Sequence, residues 1–305
     1  MTTTRFKSGT GISQIICLLC GLVWSASIPA RVSVTDDEDR VVALPQPAAR
    51  VISLAPHLTE LLYAAGAAGQ IVGTVRYSDY PSAAKSLPLV GDANNLDLEA
   101  IFSLQPDLLL GWTSGNSLTQ LKQLERLKLP LYLSEPESLT DIAATITDLG
   151  ILTGNEDVAE QAAANFRSEL KDLKHRYHGR KPVQVFYQIW GQPLITIAGD
   201  HLIDQIISLC GGNNIFASMQ QLAPAVDTES VLAADPDIII ASGDNNERPY
   251  WLDEWQQWSN LKAVRNDQIY HINPDLLQRH SPRILEGAAI MCKQIDTARQ
   301  HSGLP

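Results

Sequence analysis

Basic residues are scarce in this chain. Its 305 residues carry 23 Lys and Arg against 34 Asp and Glu, a formal charge of −11. No basic stripe offsets the deficit, which excludes nucleic acid as a partner, because phosphate binding needs a net positive surface or a clear positive band. Catalytic signatures are missing too: there is no GxxxxGK phosphate loop, no HExxH, no GxSxG and no CxxC. The glycines at 9 and 11 follow no strand pattern and make no dinucleotide fingerprint. No two of the seven histidines stand at i, i+4 spacing with a partner acid, so a multi-histidine metal site and a resident cofactor are not expected. A membrane-spanning run is absent as well. The apolar stretch IICLLCGLVW (15–24) is shorter than the roughly 20 residues a spanning helix takes.

That stretch follows Arg5 and Lys7 and precedes the small residues SASIPA (25–30), the three-part layout of a cleaved secretory signal. Leu19 stands where a lipoprotein signal ending at Cys20 carries a small residue, so lipidation is disfavoured. Removing residues 1–30 takes the formal charge from −11 to −13 and leaves two of the four cysteines, Cys210 and Cys292. Two cysteines in an exported chain suggest one disulfide, with two buried free thiols as the alternative.

What the sequence does contain is alternation. RVSVTDDEDRVVAL (31–44) alternates apolar residues about an acidic turn and predicts a hairpin. Short buried strands follow at 49–55, 70–75, 107–112 and 130–134, separated by helices at 57–67, 96–104, 117–127 and 138–154. Ser138 and Asp141 are spaced as a capping box at the start of the last of these. EDVAEQAAANFRSELKDLKHRY (156–177) is different in kind. Val158, Ala162, Phe166, Leu170, Leu173 and Tyr177 form one apolar stripe with no breaker, which predicts a single long helix. At 1.5 Å per residue it is roughly 33 Å long, enough to cross between lobes. The alternation then restarts, with strands at 182–189, 237–242 and 268–272 and helices at 201–212, 228–234, 251–261 and 281–296. The pattern predicts an α/β protein of two lobes, each with a central, largely parallel sheet flanked by helices, joined by one long rigid α-helix. The implied division is a signal peptide at 1–30, an N-terminal lobe at 31–154, a linker helix at 155–179 and a C-terminal lobe at 180–305.

The lobes share a repeated unit. LDLEAIFSLQPDLLL (96–110) and VDTESVLAADPDIII (226–240) align without gaps, placing Asp97 on Asp227, Glu99 on Glu229, and Pro106-Asp107 on Pro236-Asp237. Each glutamate alone is explained by its place in the first turn of a short helix behind an aspartate cap. Together they put one carboxylate on equivalent surfaces of two lobes. Aromatic and polar residues, meanwhile, gather after the strands: YSDY (77–80), Trp112, Trp190, and Tyr270, Asp275 and Arg279 after the last strand. Ligands of open α/β sheets bind beyond the carboxyl ends of the strands, where aromatics supply area and a few polar groups fix orientation. Packing against neighbouring helices is the plainer account of any single one.

RVISLAPHLTELLYAAGA, GTVRYSDYP, LDLEAIFSLQPDLLLGW, SLCGGNNIF and QRHSPRILEGAAIMC resemble, in that order, the helical-backbone substrate-binding proteins of bacterial ABC importers, a group that carries vitamins, siderophores and haem. The likeness spans roughly residues 48–298, and CGGNNIF with SPR-x8-C points towards the cobalamin-binding branch. The resemblance implies a monomeric periplasmic binding protein, not an enzyme, that carries cobalamin or a related corrinoid to a membrane permease dimer with its ATPase subunits. It implies Tyr77 and Trp112 as cleft walls from the first lobe, Asp275 and Arg279 as groups from the second, a Cys210–Cys292 disulfide, and Glu99 and Glu229 as the carboxylates that meet permease arginines. Trp190, after a strand of the second lobe, joins the ligand-binding candidates. Where the branch carries aromatics, this chain has Ala93, Ala223, Leu276 and Leu277, and Trp190 with Tyr250 or Trp251 are the candidates to replace them.

Two other readings compete. An iron–siderophore or haem carrier would share the architecture, but anionic siderophores favour several cleft arginines, and only Arg76, Arg279 and Arg283 lie near the site loops. An exported metal-dependent hydrolase would have to gather His57, His271 and His280 with Asp275.

Overall fold

The computed structural model describes residues 1–5, 31–243 and 247–301. Most of the expected signal segment, 6–30, lies outside them. An antiparallel hairpin, β1 (Val32–Thr35) and β2 (Val41–Leu44), opens the first lobe. Its acidic turn closes on Asp36, which accepts from the backbone N–H of Glu38 and Arg40 at 3.1 and 2.9 Å and from that of Leu133 at 3.1 Å. One carboxylate thus shapes the turn and fastens it to the main sheet.

That sheet is built from β3 (Val51–Ser53), β4 (Ile71–Gly73), β7 (Leu108–Trp112) and β8 (Leu131–Ser134), all parallel, in the order β4-β3-β7-β8. A small hairpin, β5 (Gly91–Asp92) with β6 (Asn95–Leu96), lies between β4 and β7. The helices are α1 (Pro56–Ala64), α2 (Leu98–Ser103), α3 (Leu118–Arg126) and α4 (Leu139–Thr153). Asp141 accepts from the Ser138 N–H at 2.7 Å, the acid half of the expected capping box.

The long helix α5 (Glu156–Tyr177) follows. The second lobe holds β9 (Val183–Gln188), α6 (Leu202–Leu209), β10 (Gly212–Asn214), α7 (Thr228–Ala234), β11 (Ile238–Ala241), α8 (Tyr250–Asp253), α9 (Lys262–Arg265), β12 (Ile269–His271) and α10 (Ile284–His301). Its sheet is again parallel, in the order β10-β9-β11-β12. The second strand lies outside the first and the third and fourth on its other side, as in the first lobe. The repeated Pro-Asp pair has a structural reason within this topology. Asp107, before β7, accepts from the N–H of Ala49 and Arg50 at 2.8 and 2.9 Å, and Asp237, before β11, accepts from Gln184 at 2.9 Å. Each aspartate clips the third strand to the start of the first.

α5 buries Ala159, Ala163, Phe166, Leu170, Leu173 and Tyr177. The stripe is the expected one from Phe166 onward, but nearer the N-terminus it moves from Val158 and Ala162 to Ala159 and Ala163. The cause is close packing of α4 on α5: a Cβ on Gly150 would lie 2.2 Å from the Ala159 Cβ, so only small residues fit that crossing. One apolar cluster runs through α5 from Leu58 and Ile146 in the first lobe to Ile203 and Met291 in the second, so the lobes share a core.

Three local expectations are corrected. The helix expected at 251–261 is α8 and a 3-10 turn at Glu254–Gln257 that ends at Trp258, before α9 begins. Asp235 captures the Lys262 N–H at 2.9 Å and starts a new turn there, while the Trp255 Nε1–H is drawn to the Gln188 side chain at 2.8 Å. The helix expected at 201–212 stops at Leu209, and Gly212–Asn214 pair with β9 instead. The β5–β6 hairpin was not anticipated. Its turn is set by the Asp92 side chain, which accepts from the N–H of Asn94 and Asn95 at 3.0 and 2.9 Å.

A disulfide joins Cys210, at the end of α6, to Cys292 in α10, across 82 residues of sequence. Arg299 reinforces the same junction by donating to the carbonyls of Lys181 and Cys210 at 2.7 and 3.0 Å. Replacing both cysteines with alanine is expected to lower unfolding free energy by about 2–5 kcal/mol, read from urea melts of oxidised wild type and variant.

Candidate functional site: the cleft between the lobes

Because all strands within each sheet are parallel, the loops that follow them gather at one edge of each lobe, and these loops meet. The contact is organised by Glu60, a carboxylate of α1 with only 2% side-chain exposure. Pro56 opens this helix, a position where its missing N–H costs nothing, and six successive residues from His57 to Leu62 are buried. A lone acid on such a helix needs partners, and the loop between β12 and α10 supplies them. Arg283 forks onto it, Nε to Oε2 at 2.8 Å and Nη2 to Oε1 at 2.6 Å. Arg279 Nη1 reaches Oε1 at 3.0 Å, and the Ser281 hydroxyl donates to Oε2 at 2.7 Å. Four donors fill the lone-pair positions of the two oxygens. Arg279 also meets Asp79 and Asp275, each at 2.8 Å, and Arg283 lies over the Tyr80 ring at 3.9 Å. Burial works against the Arg279 charge, but its hydrogen bonds to Asp79 and Glu60 and the Asp275 charge hold its pKa above the ordinary value.

Beside this network stands an aromatic cluster. Trp112 ends β7, with its indole over Gly115, where any Cβ would lie within 1.8 Å of the ring. Its ring is edge-on to His57 at 5.0 Å and to His280 at 6.2 Å, and the two imidazoles are 5.8 Å apart. Burial pushes His57 well below its usual pKa, helped by the nearby charges of His280 and Arg279. Burial alone takes His201 to about 4, and burial with a contribution from His201 takes His280 to about 4. All three are therefore neutral at neutral pH. Trp112 Nε1, His57 Nε2 and His280 Nδ1 are buried without a hydrogen-bond partner, a cost of about 1–3 kcal/mol for each such group. Next to them, a cavity of about 520 Å³ opens between the lobes, lined by Glu135–Glu137 from one side and Gly199–Leu202, Gln205 and His280 from the other.

The expected ligand groups separate into two kinds. Trp112, Asp275 and Arg279 lie at the seam between the lobes. Tyr77 is on the surface, 77% exposed and with φ of 66° in the loop after β4. Trp190 follows β9, half open to solvent, with its Nε1–H on the Gln192 carbonyl at 3.0 Å. Glu99 and Glu229 are both exposed, each one residue into a helix capped by aspartate: Asp97 accepts from the Ala100 N–H at 3.0 Å and Asp227 from the Ser230 N–H at 2.7 Å.

Of the missing aromatics, Leu277 is entirely buried against Gly287 of α10, so that position faces the core. Ala93 and Ala223 are at least partly exposed. The hydrolase set is not assembled. His271 has its Nε2 on the Ser242 carbonyl at 2.9 Å, Asp275 is engaged by Arg279, and no group of three or more His, Cys, Asp or Glu among the described residues is placed to hold a metal. Sequence reading missed Glu60 altogether, although an acid inside HLTELLYAA, on a helix with no polar face, is a legible signal.

Comparison with known proteins agrees with this architecture. Residues 51–276 match the family described as periplasmic binding protein. A vitamin B12-binding protein of Vibrio cholerae is 38% identical over 260 residues, covering 85% of this chain and 94% of its own. The crystal structure of the periplasmic vitamin B12 binding protein BtuF of Vibrio cholerae superposes with a TM-score of 0.77 at 37% identity, over 83% of this chain and 99% of that one. A periplasmic heme-binding protein, RhuT from Roseiflexus, shares the fold with a TM-score of 0.72 at 24% identity, over 82% of this chain and 98% of its own. Two parallel sheets, one long connecting helix and a match across most of the chain place this protein in the periplasmic binding protein family.

Proposed function

We propose that this chain is an exported, monomeric binding protein that captures cobalamin or a related corrinoid between its lobes, 31–154 and 180–305, and delivers it to an inner-membrane ABC permease dimer with its ATPase subunits. The observation that carries the choice of ligand is the charge of the cleft. Arg279 and Arg283 are both held by Glu60, and the cavity beside them is bordered by Glu135, Glu137 and Asp200 with two neutral histidines. An anionic siderophore, or haem with its carboxylates, would find Arg279 and Arg283 occupied and acids at the rim. A corrin with a carboxamide rim meets no such penalty, and its amides can pair with His280, which lines the cavity. Trp112 is the aromatic wall from the first lobe, and Trp190 and Tyr77 extend the contact on the outer loops. The names of the 37–38% identical relatives support the same ligand.

Calorimetric and spectral titration tests the choice directly. Cyanocobalamin is expected to bind with one-to-one stoichiometry, and haemin and a ferric catecholate siderophore to give no saturable signal. Binding of either of these in preference to cyanocobalamin overturns the assignment. Trp112→Ala is expected to weaken cyanocobalamin by at least about tenfold, because it removes an aromatic contact and an indole donor together.

Glu60→Ala leaves two mostly buried guanidinium groups without their shared partner and is expected to cost about 3–5 kcal/mol of unfolding free energy in urea melts.

Glu99 and Glu229 serve as the two docking carboxylates. Replacing both with alanine should leave cyanocobalamin affinity within about twofold and abolish measurable binding to the detergent-solubilised transporter, since charge-assisted pairs fix docking register.

A further inference from the structure

Three imidazoles stand near the cavity between the lobes, and they are not equivalent. His57 is packed inside the first lobe, 3% exposed, and does not border the cavity. His201 borders it, but its Nδ1 accepts from the Ile203 N–H at 3.1 Å as the N-cap of α6. An accepting Nδ1 in a neutral ring puts the proton on Nε2, so His201 can offer the cavity only a donor. His280 borders the cavity too, and its ring has no hydrogen-bond partner among the described residues. Its Nδ1 is sealed off, which leaves Nε2 as the nitrogen it can offer.

His280 is also fixed in place. The residues before and after it, Arg279 and Ser281, are both fastened to Glu60, at 3.0 and 2.7 Å. Its ring is steadied by Trp112 and His57, with centroids 6.2 and 5.8 Å away. Burial, with a contribution from His201, takes its pKa to about 4, so at neutral pH the ring is uncharged and keeps a free lone pair. Neutral imidazole is the commonest metal ligand that proteins present. A free ion would need further protein ligands, and no group of three or more His, Cys, Asp or Glu among the described residues supplies them. A metal that arrives with all but an axial position filled needs only one.

We propose that Nε2 of His280 is an axial ligand to the cobalt of corrinoids that lack the nucleotide base, entering where water sits in the free complex. This deepens the corrinoid reading and rests on it. In cyanocobalamin both axial positions are taken, by cyanide and by the molecule's own base, so His280 meets only the amide rim. Without the nucleotide, one position holds exchangeable water. The imidazole lone pair forms the Co–N bond as neutral water leaves; cobalt keeps its oxidation state and no proton is lost. Removing the nucleotide also removes the phosphodiester charge and leaves the corrinoid cationic, which suits a rim carrying Glu135, Glu137 and Asp200. An Nδ1–H without an acceptor makes His280 a less basic ligand than one backed by a carboxylate, as a carrier that must let go requires.

The test titrates the purified protein with aquocyanocobinamide and, alongside, with cyanocobalamin. On wild type the absorption bands of aquocyanocobinamide are expected to move to those it shows in excess free imidazole, while those of cyanocobalamin keep their axial pattern. Pre-reduced cob(II)inamide should give cobalt EPR lines whose nitrogen splitting changes when the protein's histidines carry the heavy nitrogen isotope. His280→Ala and His280→Gln should each abolish the band shift and weaken aquocyanocobinamide by at least about tenfold. Glutamine keeps a hydrogen-bonding group for the amide rim, so it should hold cyanocobalamin more tightly than alanine, whose cost there is one hydrogen bond, about two- to tenfold. If cyanocobalamin binds wild type but aquocyanocobinamide does not, or binds without band shift or isotope effect, the ligation is wrong and the corrinoid reading stands. A band shift that persists in His280→Ala assigns the ligand to another group and also overturns the proposal. If neither corrinoid binds, the corrinoid reading fails and the proposal with it. Should both variants fail to fold, the isotope effect on wild type decides.

Discussion

One carboxylate decides how the two lobes meet. Glu60 sits on a helix buried on all sides of the first lobe, and every lone pair it has is taken by a residue of the second. A buried acid with fewer partners would be an expense the fold could not carry, because the desolvation of an ion is large and only complete pairing offsets it. The same pairing engages Arg279 and Arg283 at the cleft, so the lobe contact and the charge presented there are set together. Asp79 and Asp275, which complete the surroundings of Arg279, reinforce both.

Around this contact the molecule is held by two different kinds of force. Apolar packing runs along the buried stripe of α5, which packs against α4, α6 and α10. Such packing resists large rotation of one lobe against the other and leaves small closing movements about the seam. Polar pairing fixes the seam itself. Between them lies a group of neutral imidazoles and an indole with unmet hydrogen-bonding capacity.

Much of this architecture is legible in the sequence. The stripe of α5 identifies that helix from Glu156 to Tyr177, and the repeat around Asp97 and Asp227 reports a duplicated lobe whose strand order is the same twice. These features are local or periodic, so a window of residues contains them. The clasp was not legible because Glu60 and its partners are 219 to 223 residues apart, and nothing near Glu60 announces them. The tryptophan-rich stretch after β11 misled for a related reason. Its spacing suits a helix, but the Asp235 carboxylate and the Gln188 amide, both distant in sequence, draw it into shorter turns. Of the site residues, Trp112 and Arg279 are at the seam as their strand-end positions imply, whereas position 277 turns inward because Gly287 allows the loop to settle on α10.

The order in which the parts are made gives the Glu60 contact a further meaning. Residues 279–292 carry Arg279, Ser281, Arg283 and Cys292, so the clasp and the disulfide both wait for the last stretch of chain to emerge. Until then the first lobe holds an acid with no base, and α6 holds a thiol with no mate. Neither contact can form until residues 279–292 have docked, so the seam and the disulfide are completed by the same stretch of chain.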